Sequence, residues 1–302
     1  MNKMTPERKD FYDREGYVVI PDLFPQAVVA ELGAIVDELL LEAAKLEKST
    51  EHYDLEPSHT PSQPRVRRLK DVRKLHPAFD RLGRSEAVLD ALETLIGPNI
   101  RYSHPNVKIN IKGAQYGSPV EWHQDWAAYP HTNDDLLSVG VPLDNCALEN
   151  GPLMVLPGSH RGELYSHHNP SGVYCSTIDP STNKVPFDLS VPLTGRRGMA
   201  TFHHARTVHG SALNTSMRPR RLLIYQYAAV DAWPILGVPD MAAYDAAIVR
   251  GKSTLQPRMT SVPVRIPRPV APNYDGLYTS QAAAENRYFA TFDQTQAAAL
   301  QK

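Results

Sequence analysis

The sequence predicts a mainly β fold, a sandwich or barrel, behind a helical N-terminal flank. After about residue 100, short apolar or alternating runs replace three-and-four apolar spacing. Turn formers such as Asn150-Gly151-Pro152, Pro157-Gly158-Ser159 and Thr194-Gly195 separate those runs. Few long helical segments lie between them, which favours packed antiparallel sheets over a strand–helix–strand repeat. We expect one domain over 1–302, with a mainly helical flank at 1–99 and a β core at 100–230. The core carries an inserted loop at 160–192, and an irregular C-terminal region at 231–302 completes the fold.

In chain order, 17–20 is β-branched and stops at Pro21, so it reads as a strand. Pro25 can open a helix whose apolar positions Val28, Val29, Leu32, Ile35, Val36, Leu39, Leu40 and Ala43 share one face. The polar, proline-containing 49–64 reads as a loop. A second amphipathic helix is expected over 85–96, closed by Gly97 and Pro98. Strands are expected within 108–111, 137–143, 153–156, 199–203, 222–229 and 262–266. The stretches 160–192 and 233–272 are too long for ordinary connections and suit lids or substrate loops, with a short helix near 241–250.

Thirty-two basic and 33 acidic residues give a formal charge of −1, so no global attraction to nucleic acid or anionic membrane is expected. Two cysteines, Cys146 and Cys175, build neither a disulfide framework nor a thiolate metal site. The N-terminus is too polar for a signal peptide and no run is long enough to span a bilayer. A cytoplasmic enzyme with a small-molecule substrate is expected, as monomer or homodimer.

The sharpest chemical signal is His123-Gln124-Asp125. In extended backbone, residues two apart point the same way, so one imidazole and one carboxylate can aim at a common point. A 2-His-1-carboxylate set, which leaves positions open for a cosubstrate and O2, needs a second imidazole. His209, followed by the small residues Gly210 and Ser211, is the best source, with His203 and His204 as competitors. Those two are consecutive, so at most one faces inward from a strand. Arg218, Arg220 and Arg221 stand just ahead of the apolar run 222–229. A 2-keto dicarboxylate that chelates iron leaves a far carboxylate needing a cation, and a guanidinium grips it with two parallel hydrogen bonds. An isolated His-x-Asp pair is common by chance; its neighbours Trp122 and Trp126, the later histidine and the arginines give it weight.

With these residues in place, the chain resembles the phytanoyl-CoA dioxygenase family of Fe(II)- and 2-oxoglutarate-dependent oxygenases. The resemblance starts at Phe11-Tyr12-Asp13-Arg14-Glu15-Gly16-Tyr17. It continues through Trp122-His123-Gln124-Asp125, Asn150-Gly151-Pro152-Leu153, Leu156-Pro157-Gly158-Ser159-His160 and His209-Gly210-Ser211 to Asn214. It implies a double-stranded β-helix (jelly roll, cupin-like) fold with flanking helices, and a triad of His123, Asp125 and His209. The family's cosubstrate arginine falls on Arg220, with Arg218 and Arg221 as fallbacks, and Asn110 and Ser211 match cosubstrate-binding positions. Related halogenases carry Gly or Ala in place of the carboxylate, so Asp125 favours oxygenation. The implied reaction uses Fe(II), 2-oxoglutarate and O2, releases succinate and CO2, and oxidises, by preference hydroxylates, a small molecule of specialised metabolism.

Trp126, Tyr129 and Trp122 are candidate pocket walls, although buried aromatics commonly serve packing alone. His167, His168 and Tyr174 could meet a polar or anionic substrate, although exposed loop residues without a role are the commoner case. The alternatives are a cupin-like metal enzyme that does not use 2-oxoglutarate and a non-catalytic jelly-roll binding protein.

Overall fold

The computed structural model describes residues 2–103, 107–272 and 274–291. Thr5 caps α1 (Pro6–Glu15) by accepting from the backbone N–H of Arg8. Pro6 occupies the first turn, where its missing N–H costs no helix bond. Gly16 ends α1 in left-handed backbone (φ 77°) and leads into β1 (Tyr17–Ile20). α2 (Gln26–Leu41) buries Val29, Leu32 and Val36, the expected stripe, and Pro25 stands at its N-cap.

The expected loop at 49–64 contains a strand, β2 (Tyr53–Leu55), paired with β3 (Val66–Leu69). Composition hid it because its stabilising partners are distant. Tyr53 Oη donates to Leu39 O at 2.9 Å, and Asp54 pairs with Arg67 at 2.9 Å and Arg68 at 2.8 Å. The helices α3 (Val72–Leu75), α4 (Pro77–Gly83) and α5 (Glu86–Ile96) follow, the last ending at Gly97 as expected.

The β region comprises β4 (Ile100–Tyr102), β5 (Lys108–Lys112), β6 (Val120–His123), β7 (Leu136–Pro142) and β8 (Met154–Val155). It continues with β9 (Val191–Pro192), β10 (Ala200–His204), β11 (His209–Ser211) and β12 (Arg220–Ala229). The larger sheet runs β1-β10-β7-β12-β5-β3-β2, with β4 also beside β12, and the smaller runs β6-β11-β8-β9. The named strands pair antiparallel throughout, as a jelly roll requires.

β12 shows how the layers divide. Arg220, Leu222, Ile224 and Gln226 point into a pocket shared with the smaller sheet. The alternate residues face the helices, where Tyr225 Oη donates to Phe79 O at 2.6 Å and Tyr227 Oη to Gly83 O at 2.7 Å. With helices on one face and the second sheet on the other, every residue of β7 is buried.

The C-terminal region adds α6 (Met241–Ala246), β13 (Ile248–Arg250), which pairs with β4, and α7 (Leu277–Gln281). The run at 262–266 is not a strand. Pro263 has no N–H for a ladder, and its carbonyl accepts instead from Trp126 Nε1 at 2.7 Å. Cys146 and Cys175 are buried free thiols. Among the described residues no helix is long and apolar enough to cross a membrane.

Candidate metal centre and active site

His123 ends β6 and His209 begins β11, directly opposite it in the antiparallel register. A single 3-10 turn (Asp125–Ala127) then brings the Asp125 carboxylate back beside them. One donor atom from each of His123, Asp125 and His209 lies within 4.8 Å of the others. Asp125 Oδ1 is 3.7 Å from His123 Nε2 and 3.9 Å from His209 Nε2.

The atoms behind these donors set their orientation. His123 Nδ1 is 2.8 Å from Glu121 O and His209 Nδ1 is 2.9 Å from Thr207 O. A carbonyl only accepts, so each Nδ1 carries the proton and each Nε2 presents its lone pair to the centre. Asp125 Oδ2 accepts from Ser138 Oγ at 2.8 Å and Gln226 Nε2 at 3.0 Å, which leaves Oδ1 facing the imidazoles. Burial, reinforced by His209, pushes the His123 pKa well below its ordinary value. Burial alone would raise Asp125, but His209, His123 and Lys108 together hold it far below the usual carboxylate range. A neutral His123 and an ionised Asp125 are the protonation states that metal binding needs, and two nitrogens with one oxygen suit non-haem iron.

Beside this cluster lies a narrow pocket, and the three candidate arginines separate there. Arg218 is exposed and pairs with Glu149. Arg221 turns outward to Asp144 and Asp37. Arg220 is 2% exposed and lines the pocket. Its Nε and Nη2 donate to Gly151 O at 3.1 and 2.8 Å, while Nη1 is buried without a partner. The Asn150-Gly151 turn thus does more than connect strands, because Gly151 (φ 68°) aims the carbonyl that holds the guanidinium. Asn110 lines the same pocket with its Oδ1 unpartnered, and Ser211 lies opposite on β11. An unpaired buried guanidinium N–H is costly, so this pocket suits an anionic oxygen acceptor such as a cosubstrate carboxylate.

His203 faces the pocket with its ring centroid 4.6 Å from that of His209, while His204 points away towards Asp134. The expectation that only one of this pair turns inward therefore holds.

A second cavity of ≈ 440 Å³ opens on the other side of His123 and Asp125, walled by Tyr129, Tyr174, Tyr274 and Leu277. Tyr129 is there as expected. Trp126 and Trp122 are not, which corrects their reading as pocket walls. Trp126 is fully buried in the main core, and Trp122 stacks on Phe187 with ring centroids 5.1 Å apart. Both belong to cores because their positions beside the ligands turn to the far faces of their segments. Nor is the 160–192 loop uniformly exposed. Tyr174 is 1% exposed at the cavity wall, and buried His167 accepts from the backbone N–H of Gln124 at 2.9 Å. Sequence reasoning missed Ser138, Gln226, Lys108 and Arg68. The period-two faces of β5 and β12 place Lys108 with Asn110 and Gln226 with Arg220, and that signal could have found two of them.

A profile of the phytanoyl-CoA dioxygenase (PhyH) family matches residues 12–222. A protein of Stutzerimonas stutzeri described as "Probable alpha-ketoglutarate-dependent hypophosphite dioxygenase" is 39% identical over 289 residues, 95% of this chain and 100% of its own length. The ectoine dioxygenase of Sphingopyxis alaskensis is 29% identical over 235 residues, 72% of this chain and 74% of that protein. The crystal structure of apo EctD from S. alaskensis superposes with a TM-score of 0.62 at 26% identity, covering 75% of this chain and 78% of that one. The chain therefore belongs to the phytanoyl-CoA dioxygenase (PhyH) family and is an Fe(II)- and 2-oxoglutarate-dependent dioxygenase.

Proposed function

We propose that His123, Asp125 and His209 hold the Fe(II), that Arg220 binds the far carboxylate of 2-oxoglutarate, and that a small molecule in the outer cavity is hydroxylated. The observation that carries this reading is the convergence of the three donor atoms within 4.8 Å, next to a pocket that holds the unpartnered Nη1 of Arg220. Fe(II) bound there supplies, with 2-oxoglutarate and O2, the oxidising power for hydroxylation, and succinate and CO2 are the coproducts. Ser138 and Gln226 fix the carboxylate that faces the metal, and Glu121 O and Thr207 O fix the two imidazoles. Asn110 and Ser211 add hydrogen bonds to the cosubstrate in this reading, which is supported by their lining the same pocket. The aromatic wall of the outer cavity keeps water from the reacting bond.

A compact substrate is supported by the cavity's size. Hypophosphite, named for the Stutzerimonas relative, heads the compounds to screen. A cytoplasmic setting belongs to the same reading, as does the lack of nucleic-acid partners, which the formal charge of −1 supports.

The test is anaerobic titration of Fe(II)-loaded protein with 2-oxoglutarate, watching for the weak visible charge-transfer band of the chelate. The band should form in wild type and vanish in Asp125→Ala and His209→Ala. With metal loading confirmed, absence of both band and succinate would favour a cupin-like enzyme that does not use 2-oxoglutarate.

A further inference from the structure

Lys108 opens β5 opposite Ile224 of β12 and lines both the inner pocket and the outer cavity, in company with His123, Asp125 and Gln226. It is half-buried, and among the described residues its ammonium makes no hydrogen bond or ion pair. Its nearby counter-charge is the Asp125 carboxylate, which the metal engages, so the N–H donors of the ammonium are left for a ligand.

Arg68, on the neighbouring β3, lines the same outer cavity. It is 5% exposed and pairs with Asp54 at 2.8 Å, but its Nε is buried without a partner. Asp54 is shared with Arg67 at 2.9 Å, so two guanidiniums face one carboxylate and leave one positive charge in excess. The other acid on the rim, Asp275, is neutralised by Lys70 at 2.8 Å.

Fe(II), Asp125 and a 2-oxoglutarate dianion together carry −1, which Arg220 cancels. Lys108 and the Arg67–Arg68–Asp54 group are left over, and both are cationic. We infer that Lys108 and Arg68 form an oxyanion cradle, and that the substrate is a small organic anion whose carboxylate, phosphonate or phosphate head they bind. This inference rests on the metal-site reading above.

The cavity lining agrees with an anion that carries an organic tail. The same cavity is lined by Tyr129, Tyr174, Tyr274 and Leu277, which offer apolar surface for a short chain. Tyr274 and Leu277 lie beyond the family-matched residues 12–222, so half of this wall comes from sequence outside the matched region. A neutral or cationic substrate would leave the excess positive charge unpaired in a partly desolvated site.

The experiment uses four length-matched probes, propylphosphonate, butyrate, butyramide and butylamine, on Fe(II)-loaded full-length enzyme. Formation of the 2-oxoglutarate charge-transfer band in wild type reports the metal-site reading by itself. Perturbation of that band by each probe, read anaerobically, reports the cradle. Propylphosphonate and butyrate should perturb the band and stimulate succinate release, and butyramide and butylamine should do neither. In Lys108→Met the anions should bind about 10- to 100-fold more weakly, the worth of a charge-assisted hydrogen bond, with a much smaller change in 2-oxoglutarate affinity. Lys108→Arg should restore part of the loss. The cradle is overturned if butyramide or butylamine binds as well as the anions, if no probe binds, or if Lys108→Met weakens 2-oxoglutarate as much as it weakens the anions. A wild-type enzyme that forms no band would sink the metal-site reading, and the cradle with it.

Discussion

Ser138 Oγ, on β7 of the larger sheet, donates a 2.8 Å hydrogen bond to Oδ2 of Asp125, which follows β6 of the smaller sheet. The two sheets are thus tied at the carboxylate, and Gln226 Nε2 adds a second bond at 3.0 Å from β12. Both donors act on the oxygen turned away from the imidazoles, so they restrict the rotation of the one turned towards them. Ser138→Ala should weaken Fe(II) binding by about 10-fold or more while the fold persists. Metal titration with a thermal melt alongside checks this, and unchanged affinity would show that packing alone orients Asp125.

Arg220 and Arg218 are two residues apart, yet only substitution of Arg220 should disturb 2-oxoglutarate binding. Arg220→Lys keeps the charge but loses the planar donor fork in a buried pocket. It should raise the KM for 2-oxoglutarate about 30-fold or more, since losing a buried charge-assisted pair costs at least about 2 kcal/mol. Arg218→Ala removes only an exposed ion pair with Glu149 and should leave that KM where it is. Equal effects from the two would contradict the assignment.

Gly151 holds left-handed backbone (φ 68°), and a Cβ there would press on Ala212 O. Gly151→Ala should cost about 2 kcal/mol in stability, from backbone strain and overlap. Because the carbonyl of Gly151 carries Arg220, the same variant should also raise the KM for 2-oxoglutarate. Denaturant unfolding and steady-state kinetics read the two effects separately.

Two buried histidines set an acid limit on stability. Burial pushes both His167 and His131 down from 6.5 to about 4. The unfolded chain therefore takes up protons near pH 6.5, and the folded chain only near pH 4. The contribution of each is complete above pH 6.5 and is lost as the pH falls towards 4, at about 1.4 kcal/mol for every pH unit crossed. His167 accepts a hydrogen bond from Gln124 N, so protonation also frees the backbone between two metal-centre residues. The Tm of metal-free protein should fall across this window, and His167→Gln should make the fall shallower. A Tm independent of pH between about 6.5 and 4.5 would refute the claim.

Much of the fold was legible locally. The α2 stripe, Gly97 as the end of α5, and the alternation around Lys108–Lys112 and Arg220–Ala229 are patterns of near neighbours, and backbone sterics and amphipathicity act at that range. β2 was not legible, because Asp54 and Tyr53 are held by groups in β3 and α2. The run at 262–266 failed in the opposite direction, since apolar composition cannot replace the N–H that Pro263 lacks.

At the site, the sequence by itself determined the chemistry on offer: His123 and Asp125 at period-two spacing, His209 ahead of small residues, and an arginine cluster downstream. Which arginine turns inward was decided only by the tertiary structure, as were the burial of Trp122 and Trp126 in cores and the meeting of Lys108 with Arg68 at one cavity. The physical reason is range. Spacing along a strand sets which side chains share a face, but what that face meets depends on sheet pairing between residues far apart in the chain.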